Sequence, residues 1–146
     1  MRFHHLGVAV PAIASALPFY ERMFGYRLQS GPFDDPIQKV TVCFLAAASS
    51  GTAGGPANDP VIELISPLSD DSPLRSILAQ GGGAYHLCYE VPAIAAALEH
   101  AKAHGCLLLR APVPAVAFAG RPIAWLMAPT RQLIELVEEP RRAPGG

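Results

Sequence analysis

The sequence has few positive charges, and they are not clustered. Of its 146 residues, 11 are Lys or Arg and 12 are Asp or Glu, which gives a formal net charge of −1 at pH 7. Lysine occurs only at positions 39 and 102. Because nucleic-acid binding depends on a stripe or patch of Lys and Arg, this composition predicts that nucleic acid is not a partner.

Long apolar runs are also missing, although 51% of the residues are hydrophobic and the mean hydropathy is +0.28. No uncharged apolar run reaches the about 18–20 residues that a membrane-spanning helix needs. Pro11 and Pro18 interrupt the most apolar stretch near the N-terminus. We therefore expect no membrane partner, and the high hydrophobic content indicates a packed globular core instead.

Cysteine is scarce, and its spacing is not that of a metal-binding motif. The three cysteines, Cys43, Cys88 and Cys106, are an odd number and lie far apart. They are typical of buried thiols in a reducing compartment. The opening residues, MRFHH, also lack the apolar region of a cleavable signal peptide. The expected location is the cytoplasm.

An internal repeat organises the chain. The stretch FHHLGVAVPAIASAL, which begins at residue 3, recurs as YHLCYEVPAIAAAL from residue 85, and the alignment places His5 on His86. Further along, VIEL at 61–64 recurs as LIEL at 133–136. A repeat of this kind predicts two similar structural units, which must be identified before the fold is assigned.

Each half has the pattern of a strand, a helix and three further strands. Helices are predicted over 12–24 and 93–104, and each is followed by a glycine that suits a C-terminal cap. A loop is predicted over 46–60, and residues 67–83 join the halves through a short helix. These patterns predict an α+β fold in one domain, 1–146, with tandem βαβββ modules at 3–68 and 84–139. The predicted strands are 3–10, 26–30, 38–47 and 61–66 in the first half and 106–110, 121–128 and 132–138 in the second.

Two pairs of polar residues recur inside the repeated apolar strands. His5 is equivalent to His86, and Glu63 is equivalent to Glu135. A carboxylate flanked by Ile and Leu faces solvent, is paired, or binds a metal. If the two halves bring the four side chains together, their nitrogen and oxygen atoms suit a first-row divalent ion. The alternative is a purely structural repeat whose polar residues lie on an exposed sheet face.

The repeated segments resemble a known family. FHHLGVAV, VIELISPL, AYHLCYEV and LIELVEEP are similar to the vicinal oxygen chelate superfamily, which includes glyoxalases, bleomycin resistance proteins and dioxygenases. Within it, PLSDDSPLRSIL and AGRPIAWLMAPT resemble the methylmalonyl-CoA epimerase branch. The resemblance implies a cupped, mostly antiparallel sheet around one metal, usually in a homodimer. The family's ligand positions match His5, Glu63, His86 and Glu135 one by one.

The resemblance also implies a chemistry. The expected function is metal-dependent proton abstraction next to a carbonyl, in a small substrate such as the acyl-CoA thioester methylmalonyl-CoA. Glu135 and Glu63 are the candidate catalytic groups, because their equivalent positions place carboxylates on opposite sides of the cavity. The expected cofactor is one divalent cation, and the ligand set does not distinguish Co, Ni, Mn, Zn and Fe.

Two departures from the family keep alternatives open, and the first is Glu63, since some epimerases carry glutamine at that position. The second is Val42, which stands where some epimerases carry a further glutamate that serves as a base. A glyoxalase I-type enzyme acting on a thiol adduct is therefore an alternative. A metal-free module that sequesters drugs is another, although such modules tend to lose the ligands.

Several nearby residues are expected to lie outside the site. Strand alternation predicts that His4 points to the opposite sheet face from His5. Glu90 is expected at the cavity rim and Trp125 in the core. His100 and His104 have the spacing of a helical metal pair, but they are expected on a solvated helix face.

Overall fold

The computed structural model describes residues 1–47 and 61–141. No helix in these ranges is both long enough and apolar enough to cross a membrane. A single 3-10 turn, Val116–Phe118, precedes the seventh strand. In chain order, the elements are β1 (Arg2–Ala9), α1 (Ile13–Phe24), β2 (Tyr26–Asp35), β3 (Val40–Ala47), β4 (Val61–Pro67), α2 (Arg75–Ala79), β5 (Gly83–Val91), α3 (Ile94–Ala103), β6 (Leu107–Pro114), β7 (Pro122–Met127) and β8 (Leu133–Glu138).

The eight strands form one sheet in the order β2-β3-β4-β1-β5-β8-β7-β6. Parallel pairing occurs between β1 and β4 and between β5 and β8, and the other neighbouring strands run antiparallel. The order of elements from β1 to β4 is repeated from β5 to β8, with α2 between. This confirms the predicted α+β fold of two tandem βαβββ units in a mostly antiparallel sheet.

The two long helices cover apolar side chains of the sheet. On α3, Ile94 and Ala101 pack with Leu136 in one buried cluster. On α1, Ile13 packs with Leu45 and Leu64 in another. Because burial of such side chains stabilises the fold, these clusters fix the helices against their own halves of the sheet.

The two edge strands are longer than predicted. β2 continues to Asp35 and β6 to Pro114, although both contain proline. Proline is tolerated there because one side of an edge strand needs no hydrogen-bonding partner. Both strands also shift register against their neighbours, which accommodates the irregular residues. Of the predicted loop over 46–60, the first two residues belong to β3, and the rest lie outside the described residues.

Candidate metal centre

The four central strands each contribute one buried polar side chain to the same region. These side chains are His5 on β1, Glu63 on β4, His86 on β5 and Glu135 on β8. The imidazoles are 0% exposed and the glutamates 3% exposed. The strand register brings these side chains together. Gly7 of β1 is paired with Glu63 of β4 on one side and with His86 of β5 on the other.

The side-chain atoms of this group lie within a few ångströms of each other. The Nε2 atoms of His5 and His86 are 3.1 Å apart. Glu63 places Oε2 3.2 Å from His5 Nε2 and Oε1 3.7 Å from His86 Nε2. Glu135 Oε2 lies 3.4 Å from His86 Nε2. Ligand atoms of His5, Glu63 and His86 all lie within 4.8 Å of one another, and Glu135 joins this group through its contact with His86.

Burial sets the protonation of all four groups. It lowers the pKa of His86 to about 3, and together with the nearby His86 and His4 rings it lowers the pKa of His5 well below 6.5. Burial and the Glu135 charge raise the pKa of Glu63 well above 4.5. Burial, with a smaller contribution from a nearby aspartate, raises the pKa of Glu135 to about 8. Without an ion, the imidazoles are therefore neutral at pH 7 and burial favours the protonated, neutral form of both glutamates.

These residues fit a divalent cation. In the described ranges, the Lys and Arg side chains form their ion pairs with other carboxylates. Buried carboxylates without a cation are costly, and a metal ion would supply the missing positive charge. Neutral imidazole nitrogens and carboxylate oxygens that face a common point are the ligands that first-row divalent metals prefer.

A cavity of about 210 Å³ opens over the two glutamates. Glu63 and Glu135 line it together with apolar and aromatic side chains. Val42 also lines it, so the position where some relatives carry an acidic base faces the cavity but offers no titratable group. The other lining residues include Ile65, Tyr85, Phe118, Ile123 and Trp125.

Trp125 was expected in the core, and it packs against a buried cluster but also reaches the cavity. Its side chain is half-buried and lines the cavity. The indole Nε1 donates a hydrogen bond to Gln38 Oε1 at 2.9 Å. Indole N–H groups that are largely removed from water usually find an acceptor, and here the acceptor is Gln38, which also lines the cavity.

The predicted orientation of His4 is wrong. Phe3 pairs with Tyr89 and His5 pairs with Cys88, so His4 is an extra residue that forms a β-bulge in β1. The bulge interrupts strand alternation, and the His4 ring therefore lies beside the His5 ring. Their Nδ1 atoms are 2.8 Å apart.

Glu90 was expected at the rim but is buried, with 4% of its surface exposed. It forms ion pairs with Arg2 and with Arg121, whose guanidinium nitrogen lies 3.0 Å from the Glu90 carboxylate. Burial acts to raise the pKa of Glu90, but the hydrogen bonds from the two arginines outweigh it, and the pKa falls. His100 on α3 and His104 at the C-cap of that helix, in contrast, are exposed as predicted.

Gly7 is a residue near the site that the sequence analysis did not single out, whereas Cys88 is a buried thiol, as predicted. Gly7 lies under the His86 ring, and a Cβ atom there would come within 2.1 Å of His86 Cε1. Cys88 donates its thiol hydrogen to Glu135 Oε1 over 3.6 Å. The only sequence signal for Gly7 is its place inside an apolar strand, where glycine often marks a close approach.

Comparison with known proteins assigns the family. Residues 4–125 match the sequence model of the Glyoxalase/Bleomycin resistance protein/Dioxygenase superfamily, and the chain belongs to this family. The ethylmalonyl-CoA/methylmalonyl-CoA epimerase of Cereibacter sphaeroides is 32% identical over 127 residues, which are 86% of this chain and 87% of that protein. The human mitochondrial methylmalonyl-CoA epimerase is 31% identical over 103 residues, 69% of this chain and 52% of that one.

Solved structures share the fold. A hypothetical protein from Bacillus halodurans superposes with a TM-score of 0.78 at 29% identity, covering 99% of this chain and 98% of that one. Methylmalonyl-CoA epimerase from Mycobacterium tuberculosis superposes with a TM-score of 0.76 at 24% identity, covering 95% of this chain and 88% of that one. These likenesses confirm the paired βαβββ architecture.

Proposed function

We propose that the protein is a metal-dependent epimerase that acts on a 2-substituted acyl-CoA thioester such as methylmalonyl-CoA. The observation that carries this proposal is the pair of buried glutamates, Glu63 and Glu135, which line one cavity beside two neutral imidazoles. The proposed substrate is supported by the 32% identical relative, whose name assigns it to ethylmalonyl-CoA and methylmalonyl-CoA.

In this proposal, His5, Glu63, His86 and Glu135 hold one divalent cation. Their ligand atoms suit cobalt, nickel, manganese, zinc or iron. The bound ion would supply a Lewis acid that stabilises negative charge on the thioester oxygen when the neighbouring C–H proton leaves.

The two glutamates would move the proton. Epimerisation removes a proton from one face of the carbon and returns one to the opposite face, so it needs two acid–base groups. Glu135 and Glu63 come from equivalent strands of the two halves and line the same cavity. Without an ion, burial raises the pKa of Glu135 to about 8, and a bound cation would lower it and favour the carboxylate form that accepts a proton. Each carboxylate would alternate between holding the ion and holding the proton.

The apolar cavity walls would assist this proton transfer. Val42, Ile65, Phe118 and Ile123 line the space above the carboxylates. Exclusion of water strengthens electrostatic interactions inside a site and protects a reactive carbanion from unwanted protonation.

The test is exchange of the substrate C2 hydrogen in heavy water, followed by mass spectrometry of methylmalonyl-CoA. Glu135→Gln should lower the exchange rate by about 10²–10⁴-fold, because it removes an acid–base group. Glu99→Gln, on an exposed part of α3, is the matched control and should exchange at the native rate. Native exchange in folded Glu135→Gln would contradict the assignment.

A glyoxalase I-type reaction on a thiol adduct is the second candidate. It is favoured by Val42, since among the described residues the carboxylates that line the cavity are then the two candidate ligand glutamates and Asp35. The Asp35 carboxylate already accepts backbone N–H hydrogen bonds from Ile37, Gln38 and Val116. The hemithioacetal of methylglyoxal and glutathione is the discriminating substrate. Turnover of this compound without C2 exchange in methylmalonyl-CoA would select the glyoxalase reaction.

A further inference from the structure

We propose that His4 is a positioning residue that fixes the orientation and tautomer of His5, the candidate ligand beside it. In this arrangement, His5 donates a hydrogen bond from Nδ1 to Nδ1 of His4, which leaves His5 Nε2 free to bind the ion. The inference rests on the proposed metal-dependent function, and it concerns a residue that the ligand set does not include.

A β-bulge places His4 in this position. His4 is the extra residue of β1, since Phe3 and His5 face consecutive residues of β5. The His4 and His5 rings consequently lie side by side, with centroids 5.1 Å apart and planes at 82°. Bulges beside active sites commonly redirect one side chain in this way.

The short distance between the rings determines where the protons lie. The two Nδ1 atoms are 2.8 Å apart, which is a hydrogen-bond distance and requires one proton between them. His5 Nε2 faces the candidate centre, at 3.2 Å from Glu63 Oε2. A neutral imidazole carries one proton, so a metal-binding Nε2 requires the proton on Nδ1. His4 must then accept at Nδ1 and carry its own proton on Nε2.

Aromatic packing holds the His4 ring in place. Its ring lies edge-on to Phe118, with centroids 5.5 Å apart, and edge-on to Phe44, with centroids 6.2 Å apart. These contacts restrict rotation of the His4 side chain. The acceptor atom, His4 Nδ1, is therefore held towards His5 Nδ1 before any ion binds.

The other half of the molecule lacks this support. A second bulge, in β5, places Tyr85 next to His86, with ring centroids 5.4 Å apart. His86 Nδ1 is buried without a hydrogen-bond partner among the described residues. Partners of a ligand's second nitrogen orient the ring and strengthen metal binding. We therefore assign this role to His4 in the first half alone.

The test compares two substitutions of His4. His4→Phe keeps an aromatic ring but removes the acceptor, whereas His4→Asn places an amide oxygen where Nδ1 was. Cobalt(II) dissociation constants are measured on protein without an affinity tag, and the His5 tautomer is read from ¹⁵N NMR of the metal-free protein. His100→Phe, at an exposed position of α3, is the control for loss of an imidazole.

The expected result is a cobalt dissociation constant about 10–100-fold higher in His4→Phe, the range found when a metal ligand loses its supporting partner. His4→Asn should recover most of this loss, and His100→Phe should match the native protein. His5 should carry its proton on Nδ1 in the native protein and in His4→Asn, and should become a mixture of tautomers in His4→Phe.

Three results would overturn the inference. One is native cobalt affinity and a native tautomer in folded His4→Phe, and another is a native His5 that carries its proton on Nε2. The third is a second cobalt ion that is lost in Cys88→Ala, because His4, His5 and Cys88 also offer ligand atoms within 4.8 Å of one another. If the native protein bound no divalent ion, the proposed function would fail, but the tautomer measurement would still decide the role of His4.

Discussion

Gly7 shows how closely the site is packed at the scale of single residues. Its missing side chain leaves room for the His86 ring, and a Cβ atom would lie 2.4 Å from His86 Nδ1. In the internal repeat, Gly7 aligns with Cys88, so the second half carries a side chain at the position where the first half has none. The sequence shows the glycine, but only the three-dimensional register shows which ring covers it.

We expect Gly7→Ala to displace the His86 imidazole. Over-packing of a buried site costs about 1–3 kcal/mol, and the displaced ring would also weaken cobalt binding. Urea unfolding and a cobalt titration measure the two effects. In a His86→Ala background, the same substitution should cost little, because the ring is already absent. If Gly7→Ala kept the native free energy of unfolding and the native cobalt affinity, the close contact between Gly7 and the His86 ring would be contradicted.

Glu135 should make the metal-free protein sensitive to alkaline pH. Burial raises its pKa from 4.5 to about 8, so its favourable contribution is present below about pH 4.5 and is lost as the pH rises to about 8. In chelator, Glu135→Gln should therefore be similar to the native protein near pH 5 but more stable at pH 8, by about 1 kcal/mol or more. Urea unfolding across this range measures the difference. A difference that does not change with pH would rule out the raised pKa.

At the scale of secondary structure, the main surprises are the bulges. Each half carries an extra residue immediately before its histidine, His4 in β1 and Tyr85 in β5. Sequence patterns assume strict alternation along a strand, so they predicted the wrong side for His4. The repeat itself identified the helices and the central strands, because their apolar patterns recur in both halves. The ends of the edge strands were missed, because β2 continues past Pro32 to Asp35 and β6 continues past Pro112 to Pro114.

Arg121 connects three elements of the second half. Its guanidinium donates to Glu90 on β5 at 3.0 Å and to the backbone carbonyl of Glu138 on β8 at 2.8 Å. Arg121 itself precedes β7, and its Nε also donates to the carbonyl of Phe118 at 3.3 Å. This network fixes the 3-10 turn that carries Phe118 against the site.

We expect Arg121→Met to destabilise the fold by about 2–3 kcal/mol at pH 7, because hydrogen bonds to a buried carboxylate are lost. The pKa of Glu90 is lowered in the folded protein, so its contribution is present above about pH 4.5 and is lost as the pH falls through the folded value. Urea unfolding should show that the free energies of unfolding of Arg121→Met and the native protein converge as the pH falls below about 4.5. Arg22→Met, at an exposed position of α1, should stay within about 0.5 kcal/mol of native over this pH range. If the difference in the free energy of unfolding between Arg121→Met and the native protein did not change with pH, loss of the ion pair with Glu90 would be excluded as the cause of the destabilisation.

At the scale of the whole molecule, the pairing of β1 with β5 creates the site. This antiparallel pair joins the two halves at the centre of the sheet, and β4 and β8 flank it. The repeat predicted that His5, Glu63, His86 and Glu135 occupy equivalent positions, and the structure brings them together. Their roles as ligands and as acid–base groups stay predictions. The sequence could not predict the cavity shape, because Phe118 and Trp125 reach it only through the packing of the second half.

We also propose that the protein is a homodimer. The outer strand β6 exposes apolar side chains, with Leu107, Leu108 and Leu109 accessible at 66%, 52% and 53%. Adjacent exposed apolar residues on an edge strand favour association. Light scattering after size-exclusion chromatography should give twice the chain mass of 15.4 kDa. A mass of one chain across the micromolar range would contradict the proposal.

The most direct test of the account is the metal content of protein purified without chelator and without an affinity tag, compared with that of His86→Ala. We predict one divalent ion per chain in the native protein and loss of that ion in the variant, because His86 Nε2 lies within 3.7 Å of both glutamates and 3.1 Å of His5 Nε2. No metal in the native protein, and none taken up from added cobalt, nickel, manganese or zinc, would contradict the metal-dependent reaction and indicate a small-molecule-binding module instead.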